Sequence, residues 1–238
     1  MTRLSVNINK VALIRNSRIG NLPDVLQVAK DCEHFGAEGI TVHPRPDERH
    51  IRYSDVINLK SSVTTELNVE GNPISKFMNL VLDILPDQVT LVPDLPDALT
   101  SDNGWDTIKE KSFLTEIISE LKNNGIRTSI FVNPDCRMID GAKSVGADRI
   151  ELYTESYAKG YLKNKEKAIK LFVEAANHSN KIGIGFNAGH DLNLENLNFF
   201  NTKITGLLEV SIGHALISDS LYLGLENTIQ LYLRELKK

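Results

Sequence analysis

Residues 39–51, GITVHPRPDERHI, start as an apolar β-branched run, break at Pro44, and crowd His43, Arg45, Arg49 and His50 into one short stretch. Arginine presents a planar fork of donors that matches phosphate, and histidine, with a reference pKa of about 6.5, exchanges protons near neutrality. A solvated loop carries such a composition by chance; a site for a phosphorylated substrate needs it. Glu70 ends the run ELNVEG (66–71), whose alternation puts Asn68 and Glu70 on one face and Leu67 and Val69 on the other. A carboxylate turned inward is costly to bury unless it is paired or used. Glu70 therefore reads as a buried hydrogen-bonding residue or as a general base with its pKa raised by desolvation. His190 follows GIGFNAG (183–189) and His214 closes LLEVSIGH (207–214). Brought together, these groups suit proton transfer. With Glu70 they equally suit a zinc or manganese site.

Elements far apart in the chain must bring such residues to one place. Short β-branched runs occur at 4–9, 39–44, 66–71, 88–93, 127–133, 149–154, 183–189 and 207–214, with helical patterns between them. Asp24 after Pro23 marks a helix start, and FGAEGITV, NNGIRTSI and VGADRIEL each repeat a helix ending at glycine before a new strand. Eight strand–helix pairs in 238 residues, with no low-complexity linker, predict one (β/α)8 barrel domain over residues 1–238 with one packed core. An open doubly wound sheet is the rival and usually has fewer strands. Barrel enzymes build their sites where strands end, and the unusual polar residues fall there. Asn7 and Asn9 end strand one, His43 and Arg45 strand two, Glu70 strand three, and Gly213 and His214 strand eight. Glu151 lies in strand six and His190 follows strand seven. His34 and His178 lie inside helical patterns and read as structural.

LEVSIGHALISDS predicts strand eight, a small loop at Gly213 and a helix capped near Ser218 or Asp219, a place where backbone amides suit phosphate. GIGFNAG misses the dinucleotide fingerprint, so a nicotinamide site is not expected. The long connection DLPDALTSDNGWDTIKE is either surface irregularity or a closing lid, with Gly104 as hinge, Trp105 as anchor and Thr100 riding on it. Cys32 and Cys136 sit in helical patterns with no metal or disulfide spacing. Charged residues make up 24% and hydrophobic ones 41%, as in an ordinary globular protein. A net charge of −4 and a pI near 5.9 argue against a broad basic surface for nucleic acid. The opening residues lack the apolar core of a signal peptide, and no run is long enough to span a membrane; the expected location is the cytoplasm.

In order along the chain, VNINKVALIRNSR, GITVHPRPDERHI, LNVEG, NAGH and IGHALI resemble the pyridoxine 5'-phosphate synthase family. The resemblance implies a (β/α)8 barrel that condenses 1-deoxy-D-xylulose 5-phosphate with 3-amino-2-oxopropyl phosphate, giving pyridoxine 5'-phosphate, phosphate and water, with no metal or organic cofactor. By motif, Glu70 and His43 look like proton acceptors, His190 like a proton donor and Glu151 like a residue that stabilises developing charge. Arg45, His50 and Thr100 match positions that hold the deoxyxylulose phosphate; Asn7, Arg18, Gly213 and His214 match those for the aminoketone phosphate. A homo-octamer is also implied, and the apolar stretch with Leu221, Tyr222, Leu223 and Leu225 fits either packing or an interface. The chain departs from the pattern at several places, among them Pro44 and Pro46, which stiffen a loop that usually lacks them. Asn9 and Lys10 stand where the family shows Asp-His at the deoxyxylulose site, and Asp191 stands where glycine commonly follows the histidine of NAGH. Two rivals remain: a metal-dependent barrel enzyme acting on a sugar phosphate, with His43, Glu70, His190 and His214 as ligands, and a phosphate-ligand binding homologue impaired in catalysis.

Overall fold

The computed structural model describes residues 1–94 and 101–237. Within them a closed parallel barrel runs in chain order through β1 (Arg3–Asn7), β2 (Gly39–Val42), β3 (Glu66–Gly71), β4 (Gln88–Leu91), β5 (Arg127–Val132), β6 (Arg149–Tyr153), β7 (Gly185–Gly189) and β8 (Glu209–Ile212), with β8 pairing back to β1. Around it lie α1 (Asn9–Asn16), α2 (Val25–His34), α3 (Tyr53–Lys60), α4 (Ser75–Ile84), α5 (Lys111–Asn123), α6 (Cys136–Ser144), α7 (Glu155–Ile182), α8 (Leu197–Lys203), α9 (His214–Leu223) and α10 (Leu225–Glu235). Each strand found its sequence run, and no open sheet edge remains in this sheet. The joins follow the expected chemistry. The Asp24 carboxylate caps α2 by accepting from the Leu26 and Gln27 amides, and Gly36, Gly125 and Gly146 take the positive φ that ends a helix sharply before the next strand.

The period-two alternation splits every strand between two environments. Leu4, Val6, Ile40, Val42, Val69, Val89, Leu91, Ile150, Leu152, Val210 and Ile212 face the helices and are fully buried. At ~1.5–3 kcal/mol for each such side chain, this barrel–helix layer is the main stabilising core. The expected packed core is thus outside the barrel wall, because the interior is polar. Ser5 and Thr41 share a hydrogen bond of 2.7 Å, Asn68 Nδ2 donates to Thr41, and Thr90 and Gln88 donate to Asn68. At the floor, Arg3 bridges Glu66 and Glu209, and Arg127 pairs with Glu66. Barrel interiors are usually filled with Val, Ile and Leu; here hydroxyls, amides and paired charges fill that space.

Three local expectations need correction. Strand one stops at Asn7, so Asn9 and Lys10 open α1 instead of ending the strand. The turn closes locally because the Asn9 amide donates to Asn7 Oδ1 at 3.1 Å. The last helix begins at His214 directly after strand eight, with Gly213 as its N-cap, and is divided from α10 by Gly224. The helix before strand seven is longer than its apolar pattern. A kink at Asn164 joins an earlier segment to it, and Asn164 Oδ1 caps the second part by accepting from the Lys167 amide. Cys32 is buried and Cys136 half-buried, both in helices.

Candidate active site

The strand ends open on a cavity of about 370 Å³. Asn7, Asn9, Lys10, His43, Arg45, His50, Glu70, Glu151, His190, Asp191, Gly213 and His214 all line it. Arg18 does not, since it sits on the exposed segment beyond α1. Thr100 lies outside the described residues.

Glu70 stands at the end of β3 on the inward face, its Oε2 3.8 Å from His43 Nδ1 and 3.5 Å from the Asn7 amide nitrogen that donates to it. Burial pushes its carboxyl from the ordinary 4.5 up to about 7, with the Asp94 charge adding and the His190 and Arg45 charges opposing. Burial also drives His43 well below its usual value, helped by Arg45, His50 and Arg49. A base with a pKa near 7 therefore faces an imidazole held neutral, the match that general acid–base chemistry at neutral pH requires. His43 is located by its backbone, whose N–H donates to Asn9 Oδ1 at 2.9 Å.

Glu151, three strands further round the barrel on β6, is raised well above the usual carboxylate range by burial first and then by the Glu70 and Glu209 charges. Its Oε2 is buried without a hydrogen-bond partner among the described residues. Its Oε1 lies where a Cβ on residue 189 would approach to 2.3 Å, so only glycine fits beside it.

The His50 loop is anchored from below. Arg15, fully buried, makes a bidentate pair with Asp55 at 2.7 and 2.8 Å and donates to the His50 carbonyl, as does Asn16 at 2.8 Å. His50 Nδ1 accepts from the Ile51 amide at 2.9 Å, so its proton is on Nε2. Burial and the Arg45 and Lys10 charges lower its pKa to about 4. Arg45 is held by Asp94 at 2.7 Å, each side chain 4% exposed, and Ser101 Oγ donates to the same carboxylate oxygen. Across the cavity, Gly213 leaves the amides of the first turn of α9 without a side-chain cap. Backbone donors and the helix dipole there favour an anion.

Sequence reasoning missed Asp94, Ser101, Phe131, Tyr153 and Ser211. Phe131, Tyr153 and Ser211 carried a readable signal: they share the inward phase of Ser129, Glu151 and Glu209, and Phe131 and Tyr153 stack against His190 at centroid distances of 6.3 and 5.1 Å. Asp94 and Ser101 had none, being polar residues in a long connection. A Cβ on Gly104 would lie 2.5 Å from the backbone of Val132 and Asn133, so the chain is pressed against β5 there, with Trp105 8% exposed beside it. Among the described residues no three His, Cys, Asp or Glu side chains stand together as a metal site.

Known proteins resemble this chain along its length. Residues 4–238 match the family model described as pyridoxal phosphate biosynthesis protein PdxJ. Pyridoxine 5'-phosphate synthase of Cytophaga hutchinsonii is 66% identical over the full length of both chains. The proteins of that name from Parabacteroides distasonis and Flavobacterium johnsoniae are 62% and 60% identical, the former over 98% of both chains and the latter over 100%. Among solved structures, a 4-hydroxy-2-oxoglutarate aldolase/2-deydro-3-deoxyphosphogluconate aldolase superposes with a TM-score of 0.65 at 14% identity, covering 98% of this chain and 94% of the other. Phosphoribosyl anthranilate isomerase from Thermotoga maritima superposes at 0.63 and 14%, covering 99% and 98%. At such identities these two share only the barrel. Near-complete alignment at 60% identity and above carries more, and with the PdxJ match it means that this chain belongs to the pyridoxal phosphate biosynthesis protein PdxJ family.

Proposed function

We propose that this chain is a pyridoxine 5'-phosphate synthase that condenses 1-deoxy-D-xylulose 5-phosphate with 3-amino-2-oxopropyl phosphate. The observation that carries the reading is the pairing of Glu70, pushed to about 7, with neutral His43 at 3.8 Å inside a cavity that Glu151 also lines. Imine formation, loss of water, loss of phosphate, enol formation, aldol-like closure and aromatisation are all proton transfers. Glu70 and His43 take protons, His190 returns one, and Glu151, through the partnerless Oε2, stabilises charge that develops during ring closure.

Arg45, His50, Asn9 and Lys10 form the cationic and polar wall suited to the deoxyxylulose phosphate, with Thr100 as a further contact. Asn7, Gly213, His214 and the first turn of α9 suit the aminoketone phosphate. Asn9 keeps an acceptor on the His43 amide, so the Asn9–Lys10 departure leaves the base in position. Catalysis needs no metal in this scheme. Arg18 lies outside this cavity, and the reading assigns it to a phosphate bound by a second copy. Exposed Ile19, Leu22, Leu221 and Tyr222 support contact between copies within a cytoplasmic homo-octamer.

A metal-free assay following phosphate release and the ultraviolet absorption of the pyridine together tests the reading. Both signals support it. Substrate binding without either signal favours the impaired homologue, and loss of turnover on chelation favours the metal enzyme.

A further inference from the structure

His190 occupies a backbone position that few side chains tolerate. Its φ is +96°, in the left-handed region that favours glycine, and such conformations persist only where surrounding contacts hold them. Here the contacts are specific. The His190 amide donates to the Ser211 carbonyl at 3.4 Å, the Asp191 amide donates to Thr154 Oγ1 at 3.3 Å, and Asn196 Nδ2 donates to the Asp191 carbonyl at 3.3 Å. Thr154 Oγ1 in turn donates to the Gly189 carbonyl at 2.7 Å. Both sides of the histidine are therefore pinned to β6, β8 and the turn before α8.

The ring is fixed as well. Tyr153 meets it edge-on at 5.1 Å with an interplanar angle of 87°, Phe131 lies 6.3 Å away, and Asp191 Oδ2 is 3.0 Å from Nδ1. The two side chains are 30% and 38% exposed. An ion pair that open to solvent adds little stability, so its consequence lies in orientation and proton placement.

We propose that Asp191 is the positioning residue of His190: its carboxylate holds the proton on Nδ1 and aims the ring, leaving Nε2 as the atom that exchanges a proton with the substrate. This rests on the reading of His190 as proton donor. A carboxylate can only accept, so the pairing admits one neutral tautomer, with hydrogen on Nδ1. In the protonated ring the same contact shares the positive charge, so a donor at this place cycles between two states with the Nδ1 side unchanged. The groups facing this ring are Glu70 on β3, Glu151 and Tyr153 on β6, His43 after β2 and Asp191 itself. Among them Asp191 is the one in hydrogen-bond contact with Nδ1.

Asp191→Asn tests this, because the amide can present its NH₂ to Nδ1 and favour the opposite tautomer at nearly unchanged shape. The full-length protein labelled with ¹⁵N at histidine, with His190→Gln used to assign the signal, is expected to show His190 as the Nδ1–H tautomer at pH 8. In Asp191→Asn it is expected to shift toward Nε2–H. Turnover is expected to fall about 10- to 100-fold in kcat with KM for both substrates within about threefold. Asp191→Glu is expected to recover part of the loss, and combining Asp191→Asn with His190→Gln to cost little more than His190→Gln alone. Unchanged tautomer in Asp191→Asn overturns the proposal, as does a raised KM at constant kcat, which would place Asp191 on the substrate. Full activity in His190→Gln defeats the donor reading instead, and the tautomer signal then still decides whether Asp191 positions the ring.

Discussion

Glu70→Gln separates catalysis from stability in a way that follows from the burial of one carboxyl. In the unfolded chain Glu70 ionises at its ordinary 4.5; in the fold it does so at about 7. Between these values the folded state holds a proton that the unfolded state has lost, and above 7 the fold carries a buried anion. The unfolded state binds fewer protons throughout that window, so stability falls as pH rises from about 4.5 to about 7 and is level beyond. A displacement from 4.5 to about 7, at about 1.4 kcal/mol per unit, makes the ionised group cost the fold roughly 3 kcal/mol at pH 8 and about 1 at pH 5. Glutamine removes that cost while keeping an oxygen for the Asn7 donor. Glu70→Gln should therefore melt several degrees higher than the parent at pH 8, with the gap closing toward pH 5, while turnover drops about 10²–10⁴-fold. Thermal melts at the two pH values alongside steady-state assays measure both. A variant that keeps near-normal turnover, or whose stability difference is the same at both pH values, refutes the assignment of Glu70 as a desolvated base.

Arg45→Ala strands Asp94 in a site only 4% exposed, so beyond weaker binding of the deoxyxylulose phosphate it should destabilise the fold by about 3–5 kcal/mol. Adding Asp94→Asn should return much of that, as a denaturation double-mutant cycle would show. His50, lowered to about 4, should stay neutral with its proton on Nε2 well below pH 6. Because the unfolded imidazole takes up a proton near 6.5 and the folded one does not, its contribution to stability is present above about 6.5 and lost as pH falls toward 4; histidine NMR titration and melts over that range report both. Gly189→Ala drives a methyl to 2.3 Å from Glu151 Oε1 and should cut kcat at least tenfold with the circular-dichroism spectrum unchanged, since small displacements of a reacting group are expensive.

The barrel was legible because its signals are local and repeated. Apolar β-branched runs, helix caps such as Asp24 and positive-φ glycines at 36, 125 and 146 each follow from a few neighbouring residues. The inward residues were partly legible for the same reason: Glu70 and Glu151 share a phase with Asn68 and Arg149, and period two carries that phase along a strand. What resisted reading was tertiary. Nothing near Arg45 in sequence announces Asp94, a partner 49 positions away, and nothing near His50 announces that Arg15 and Asn16 hold its carbonyl. The start of α1 was missed because its N-cap, Ile8, has no capping side chain, the turn being closed by the side chain of Asn7 before it. Asp191 read only as a departure from the family pattern because its partner, the ring of His190, depends on a backbone angle that sequence does not specify.

The polar interior and the chemistry explain each other. An aliphatic filling would surround Glu70 and Glu151 with groups unable to hydrogen-bond, and an ionised carboxylate would then be prohibitively costly. The interior instead supplies the Asn7 donor at Glu70 and, below it, a ladder through Thr41, Asn68, Thr90 and Gln88 down to paired arginines and glutamates at the floor. The His190 and Arg45 charges restrain the rise of Glu70, which settles near 7, where it can both lose and regain a proton within one cycle. Glu151 has no such donor on Oε2 among the described residues and is raised by burial first and then by the Glu70 and Glu209 charges. Two carboxyls on β3 and β6 of one barrel are thus given different environments by the polarity of what each can touch. The hydrophobic layer outside the strand wall lets the barrel afford that interior, since the stabilising burial comes from the residues of opposite phase.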